Sequence, residues 1–165
     1  MTKAEAQLAM RYALTAMNGL PAWVGALGQV HPEVVRDMLA PELEAQLNDT
    51  GEQSTHSSLL QYIEHSGPSV IALFVDTIRA WLTAALASGA SLHGSNKFER
   101  AIDLLLIHGT PGDAASIVAA AQTFIARGLD QQGLLFWLPL LLRLAPRQAV
   151  DEMERLAAPV TPALM

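Results

Sequence analysis

The sequence predicts an all-α fold of stacked antiparallel helical hairpins, about four repeats in all. Three observations predict it. Pro32, Pro68, Pro111 and Pro146 recur at gaps of 36, 43 and 35 residues. A proline has no N–H to lose at the first helical position, and its fixed φ suits that place. Apolar residues follow three of these prolines at i, i+3, i+4 and i+7, the stripe of an amphipathic helix. Finally, "WVGALGQVHPEVVRDM" at 23–38 returns as "WLPLLLRLAPRQAVDE" at 137–152, with Trp, Leu, Pro and Asp in the same places. The offset of 114 residues is three units of about 38, a period that marks helical repeats.

The elements follow in order, as helices over 3–17, 20–30, 32–47, 57–66, 68–88, 95–108, 111–127, 131–144 and 146–158. "TKAE" at 2–5 has capping-box spacing and opens the first. Val34, Val35, Met38 and Leu39 mark the stripe after Pro32, and Pro41 is where that helix would kink or split. Ala114, Ile117, Val118, Ala121, Phe124 and Ile125 follow Pro111, behind the cap-like "TPGD" at 110–113. Ala149, Val150, Met153, Leu156 and Ala157 follow Pro146. Gly19, Gly67, Gly89, Gly109 and Gly128 stand where helices stop. No stretch alternates as a strand does. One helical-repeat domain over 1–158 is expected, with a mobile polar loop at about 48–58 and a Pro-rich tail at 159–165.

Composition narrows the function classes. Apolar residues make up 51% of the chain, but aromatics only 5%. The rest of that apolar content is rich in Ala and Leu, the best helix formers. A net charge of -6 argues against nucleic acid. With no cysteine there is no disulfide, zinc thiolate or thiol nucleophile. The N-terminal "MTKAEAQLAM" does not read as a signal peptide, and a cytoplasmic location is expected. Residues 70–90 have the length of a membrane span but carry Asp76 and Arg79 in the middle. Those two can pair at i,i+3 on an exposed helix face, so no span is expected.

The Pro-started second helices and the Asp at 37 and 151 resemble those of HEAT-like or armadillo-like α-solenoids, over most of residues 20–158. HEAT units carry a later basic residue in the second helix. Arg155 follows Asp151, but no basic residue follows Asp37 in the next turns. The resemblance implies a scaffold that binds proteins or peptides on an extended surface. It implies no catalytic residue.

Residues that could carry chemistry are sparse. His31, His56, His65, His93 and His108 show no metal-ligand spacing. "HGTPGD" at 108–113 could hold an anion at a helix start, but reads first as a cap. Ser54, Ser57, Ser58 and Ser66 lie near His56 and His65 with no nucleophile elbow. No metal or cofactor is expected. Trp23, Trp81 and Trp137 read as core anchors, with Trp23 and Trp137 in equivalent buried positions.

Two features stand out. "LLFWLPLLLRL" at 134–144 is apolar on all sides apart from Arg143. Such a helix is expected to be covered all round. Its Leu134, Leu135, Phe136, Leu138 and Leu142 form a candidate interface to another subunit or a further repeat, unless the domain folds back over them. The second is an acidic segment, with Glu33, Asp37, Glu42, Glu44, Asp49 and Glu52 against one base, Arg36. It reads as a solvated face or as a docking site for a basic partner segment. The leading expectation is a non-enzymatic protein-interaction module or scaffold, including a repeat segment of a longer protein. The alternative is a compact bundle that encloses a small apolar ligand. An enzyme built from scattered residues ranks below both.

Overall fold

The computed structural model describes residues 1–15, 19–49, 58–89 and 95–157. The loop at 50–57, the tail beyond Ala157, and Glu52, His56 and His93 lie outside the described residues. Among the described residues every regular element is a helix: α1 Lys3–Leu14, α2 Trp23–Val30, α3 Pro32–Asn48, α4 Ser58–His65, α5 Pro68–Ile71, α6 Val75–Ser88, α7 Asn96–His108, α8 Pro111–Arg127, α9 Gln131–Leu144 and α10 Pro146–Ala157. The chain divides into two compact units, Met1–Asp113 and Ala114–Met165.

Each of the four spaced prolines is the first residue of its helix. Other local signals also take their expected form. Thr2 and Glu5 make a full capping box at the start of α1, with both reciprocal hydrogen bonds present. Gly67 precedes Pro68 at φ 90, a conformation costly for any residue with a Cβ. Pro41 does not split α3, which runs unbroken from Pro32 to Asn48. Its ring is exposed, so the carbonyl one turn back, at Asp37, can turn to water instead of the missing N–H.

In the first unit α1 and α2 pack on α3, α5 packs on α2 and α4, and α7 packs on α4 and α6. Met10, Val35, Leu39, Leu60, Ile63 and Phe74 are among the fully buried side chains. The expected single helix over 68–88 is broken. Ala72 to Phe74 form a turn, closed by bonds from Leu73 N–H to Val70 O and Phe74 N–H to Ile71 O, at 3.0 and 2.9 Å. Tertiary packing overrides the helical pattern here. α5 is tied to α2 by Ser69 Oγ donating to Gly25 O at 3.2 Å, while α6 runs on to pack on α7 and α3.

In the second unit α9 and α10 form an antiparallel hairpin. Trp137 stacks on Phe124 at 5.1 Å between centroids, with Phe136 edge-on to Trp137. Ile117, Ala121, Ile125, Leu141 and Ala149 are also buried.

The 114-residue offset has a local structural counterpart. His31, between α2 and α3, has φ -134 and ψ 60; Ala145, between α9 and α10, has φ -146 and ψ 69. Each donates its N–H to the leucine four residues back, Leu27 and Leu141, at 2.7 Å. Both leucines are buried, as are the matching Val35 and Ala149, while Asp37 and Asp151 are exposed. The other two Pro-started corners are built differently, with Gly67 at one and both Gly109 and Thr110 at the other.

The tryptophans break the match. Trp137 is 2% exposed, but Trp23 is 39% exposed, contrary to the expected burial of both. Trp137 lies mid-helix and stacks on Phe124 of α8, whereas Trp23 is the first residue of α2. Trp137→Ala is therefore expected to cost about 3–5 kcal/mol. Trp23→Ala is expected to cost under about 1 kcal/mol. Urea unfolding of the two variants checks this, and equal losses would contradict it.

Candidate functional site

α9 is set in place by Asp130, whose carboxylate accepts from Gly133 N–H at 2.7 Å and caps the helix start. Its apolar residues then divide between two faces. Trp137 and Leu141 point inward. Leu134, Phe136 and Leu138 are half-buried. Leu135 and Leu142 are 68% and 47% exposed. Among the described residues the chain thus does not fold back over every side of α9, and the rest of the expected cover would have to come from another subunit or a further repeat.

Beside Leu135 and Leu142, α10 exposes Val150, Met153 and Leu156. Between the two helices lies a shallow groove of about 300 Å³, lined by Leu134, Leu135, Leu138, Pro139, Leu142 and Met153. Its wall is almost wholly apolar. A contiguous exposed surface of this kind marks an interaction site more often than scattered apolar residues do.

The matching face of the α2–α3 hairpin is covered. Val24 and Leu39 stand 114 residues before Leu138 and Met153, and both are 0% exposed. Gly28 stands in the place of Leu142. A Cβ there would lie 3.6 Å from Val70 Cγ2 and 3.7 Å from Leu73 Cδ1. The cover is therefore α5 and the turn after it.

Glu33, Asp37 and Glu44 share the outer face of α3, with Asp49 beyond its end, while Val34, Val35, Leu39, Leu43 and Leu47 face inward; Glu42, also exposed, lies off that face on the side of α4. Part of this charge is met locally. His31 Nδ1 lies 3.7 Å from Glu33, and Gln46 Nε2 donates to Glu42 at 2.8 Å. Lys97, only 5% exposed, donates from Nζ to the main-chain oxygens of Gln46 and Asp49 at 3.2 and 2.6 Å. It caps the negative end of α3 from α7. Burial pushes its pKa down, against the opposing pull of the Asp49 charge. No sequence spacing announces a contact between partners this far apart.

A second cleft, of about 560 Å³, lies beside α1, α3 and α4. Leu14, Leu20, Met38, Leu59 and Tyr62 form its walls. Its Glu42 and Gln46 are bonded to each other, and Gln46 Oε1 accepts from Leu59 N–H at 3.1 Å.

His31, His65 and Asp113 make contacts within the fold. Among the described residues no group of His, Asp and Glu could hold a metal ion. His31 Nε2 meets Met1 O at 3.0 Å, and His65 Nδ1 meets Gln61 O at 2.7 Å. The start of α8 is filled by its own Asp113, whose Oδ2 accepts from Thr110 N–H at 2.6 Å and Thr110 Oγ1 at 2.9 Å. Arg79 pairs with Asp76 as expected, and also donates from Nε to Asp113 at 2.6 Å. Among the described residues no helix is long and apolar enough to cross a membrane.

No protein family, no curated protein and no solved structure matches this chain.

The Asp113 node has a pH signature. Hydrogen bonding from Arg79, then from Thr110, holds the Asp113 carboxyl down at about 2. Its folded pKa lies below its unfolded one. The stability it contributes is present above pH of about 4 and lost as pH falls toward 2. Urea midpoints measured across that range are expected to fall. Asp113→Asn is expected to flatten the fall and to cost about 1–3 kcal/mol at neutral pH, since it leaves the Arg79 charge less well paired.

Proposed function

We propose that this protein is a non-enzymatic protein-interaction module that presents the α9–α10 face to a helical partner. One observation carries the reading. The face of α2–α3 at matching positions is closed by a helix of the same chain, whereas that of α9–α10 leaves Leu135, Leu142, Val150 and Met153 in solvent. Helices bury such stripes against other helices. The shared corners at His31 and Ala145 support, in addition, a HEAT-like α-solenoid reading of the two hairpins. The acids of α3 act chiefly as a solvated face that keeps an Ala- and Leu-rich chain apart from its neighbours. A cytoplasmic location belongs to the same reading.

A second reading, capture of a small apolar molecule, rests on the apolar walls of the cleft at Leu14, Met38 and Tyr62, which Glu42, Gln46 and Ser58 also line. Native mass spectrometry of the purified protein separates the two, because the second requires a bound small molecule.

The main reading is tested by photo-crosslinking in expressing cells. A photoreactive residue in place of Leu135 is expected to give a protein adduct, and one in place of the exposed Gln148 is not. Failure of position 135 to capture any protein would overturn the proposal.

A further inference from the structure

We infer that the occupant of the α9–α10 face is a second copy of this chain, packed antiparallel about a two-fold axis, α9 on α9 and α10 on α10. The inference rests on the reading of that face as a docking surface and adds the identity and orientation of the partner.

The argument starts from where charge lies along the hairpin. α9 carries no charged residue from Gln131 to Leu142, and its one charge, Arg143, stands in the last turn beside the corner. It supplies apolar area but no register. Register must come from α10, where Arg147 and Glu154 are both exposed. They are seven residues apart, two helical turns, and so share one line along the helix. That line runs along the edge of the exposed stripe, on the side of Val150. The neighbouring carboxylates do not occupy it. Glu152 is held by Arg155 Nε at 2.7 Å, and Asp151 lies about 60° further round the helix.

One edge thus carries a positive charge toward the closed end of the hairpin and a negative charge toward the open end. A parallel partner would set like charge on like. A two-fold axis across the helices sets Arg147 of each copy against Glu154 of the other, twice. The same axis serves α9. The midpoint between Arg147 and Glu154 lies about 8 Å along α10 from the corner at Ala145. The midpoint between Leu135 and Leu142 lies about 10 Å from it along α9. One axis therefore also brings Leu135 onto Leu142 of the second copy across the Pro139 region. If instead α9 of one copy lay on α10 of the other, the Arg147–Glu154 edge would meet a helix that offers Arg143 but no carboxylate for Arg147. The product is an antiparallel four-helix arrangement with one self-complementary face, the usual form of a homodimer.

The test is sedimentation equilibrium on the full chain, from about 1 to about 200 µM, where a dimer of modest affinity dissociates on dilution. A monomer–dimer equilibrium is expected. Arg147→Glu and Glu154→Arg are each expected to weaken it by about tenfold or more, since each sets like charges together twice. The double variant restores the pairing and is expected to recover to within about threefold of the parent. Leu135→Glu is expected to abolish it. Circular dichroism of each variant confirms the helical fold, and recovery in the double variant shows that the single changes act on pairing.

Three results would overturn the inference. One is a monomer at every concentration. Another is a dimer indifferent to both charge reversals. The third is a photo-crosslink from position 135 to residues 158–165 of the same chain. A monomer that still crosslinks to a different protein from position 135 rejects the second copy and keeps the docking face. A monomer that crosslinks to no protein rejects both.

Discussion

A proline at the first residue of a helix imposes two conditions at once. The residue before it is pushed out of the helical region, and its own missing N–H is harmless only where no carbonyl waits one turn back. The chain must therefore end one helix and begin the next within a residue or two. At His31 and Ala145 it does so in a single residue, with nearly the same backbone angles. So tight a corner lays the second helix antiparallel beside the first. Which side chains become inner and which outer is then fixed by helical geometry. Leu27 and Leu141 are buried, and Asp37 and Asp151 exposed, where the geometry of the corner and the polarity of these residues agree.

Polar groups carried inward are used to close helix ends. Lys97 supplies a cation to the last carbonyls of α3, and Asp113, in the first turn of α8, accepts from the backbone N–H of Thr110 just before that helix. Each helix end presents a partial charge that is costly to bury unanswered. Among the described residues no buried side-chain polar atom lacks a partner. The polar interior is therefore spent on joints between helices.

Much of this was legible in the sequence, for a definite reason. Prolines at N1, the Thr2–Glu5 box and the apolar stripes act within one or two turns, and the helices appear close to where those signals put them. Glu33, Asp37 and Glu44 were legible as surface because they lie opposite Val35, Leu39 and Leu43 on one helix. What failed depends on distant neighbours. The break at Ala72–Phe74 arises because α5 and α6 answer to different helices. Asp113 as a partner of Arg79, and Lys97 at the end of α3, join residues far apart in sequence. α9 illustrates the limit for a binding face. A helix apolar on every side has no pattern to say which side goes in, so the outward turn of Leu135 and Leu142 needed the fold.

The exchange of Gly28 for Leu142 sets how intimately each hairpin can be joined. Over Gly28 a crossing helix can approach to about 8 Å between axes, near the lower limit for packed helices. The backbone itself then forms the contact, and little can be inserted or removed without rebuilding both sides. Over Leu142 a docked helix would stay nearer 10 Å, held apart by a side chain that can change rotamer. The helix over α2 is thus welded through the backbone, whereas one docked on α9 as proposed would be coupled through side chains, and the difference between them is four carbon atoms on one residue.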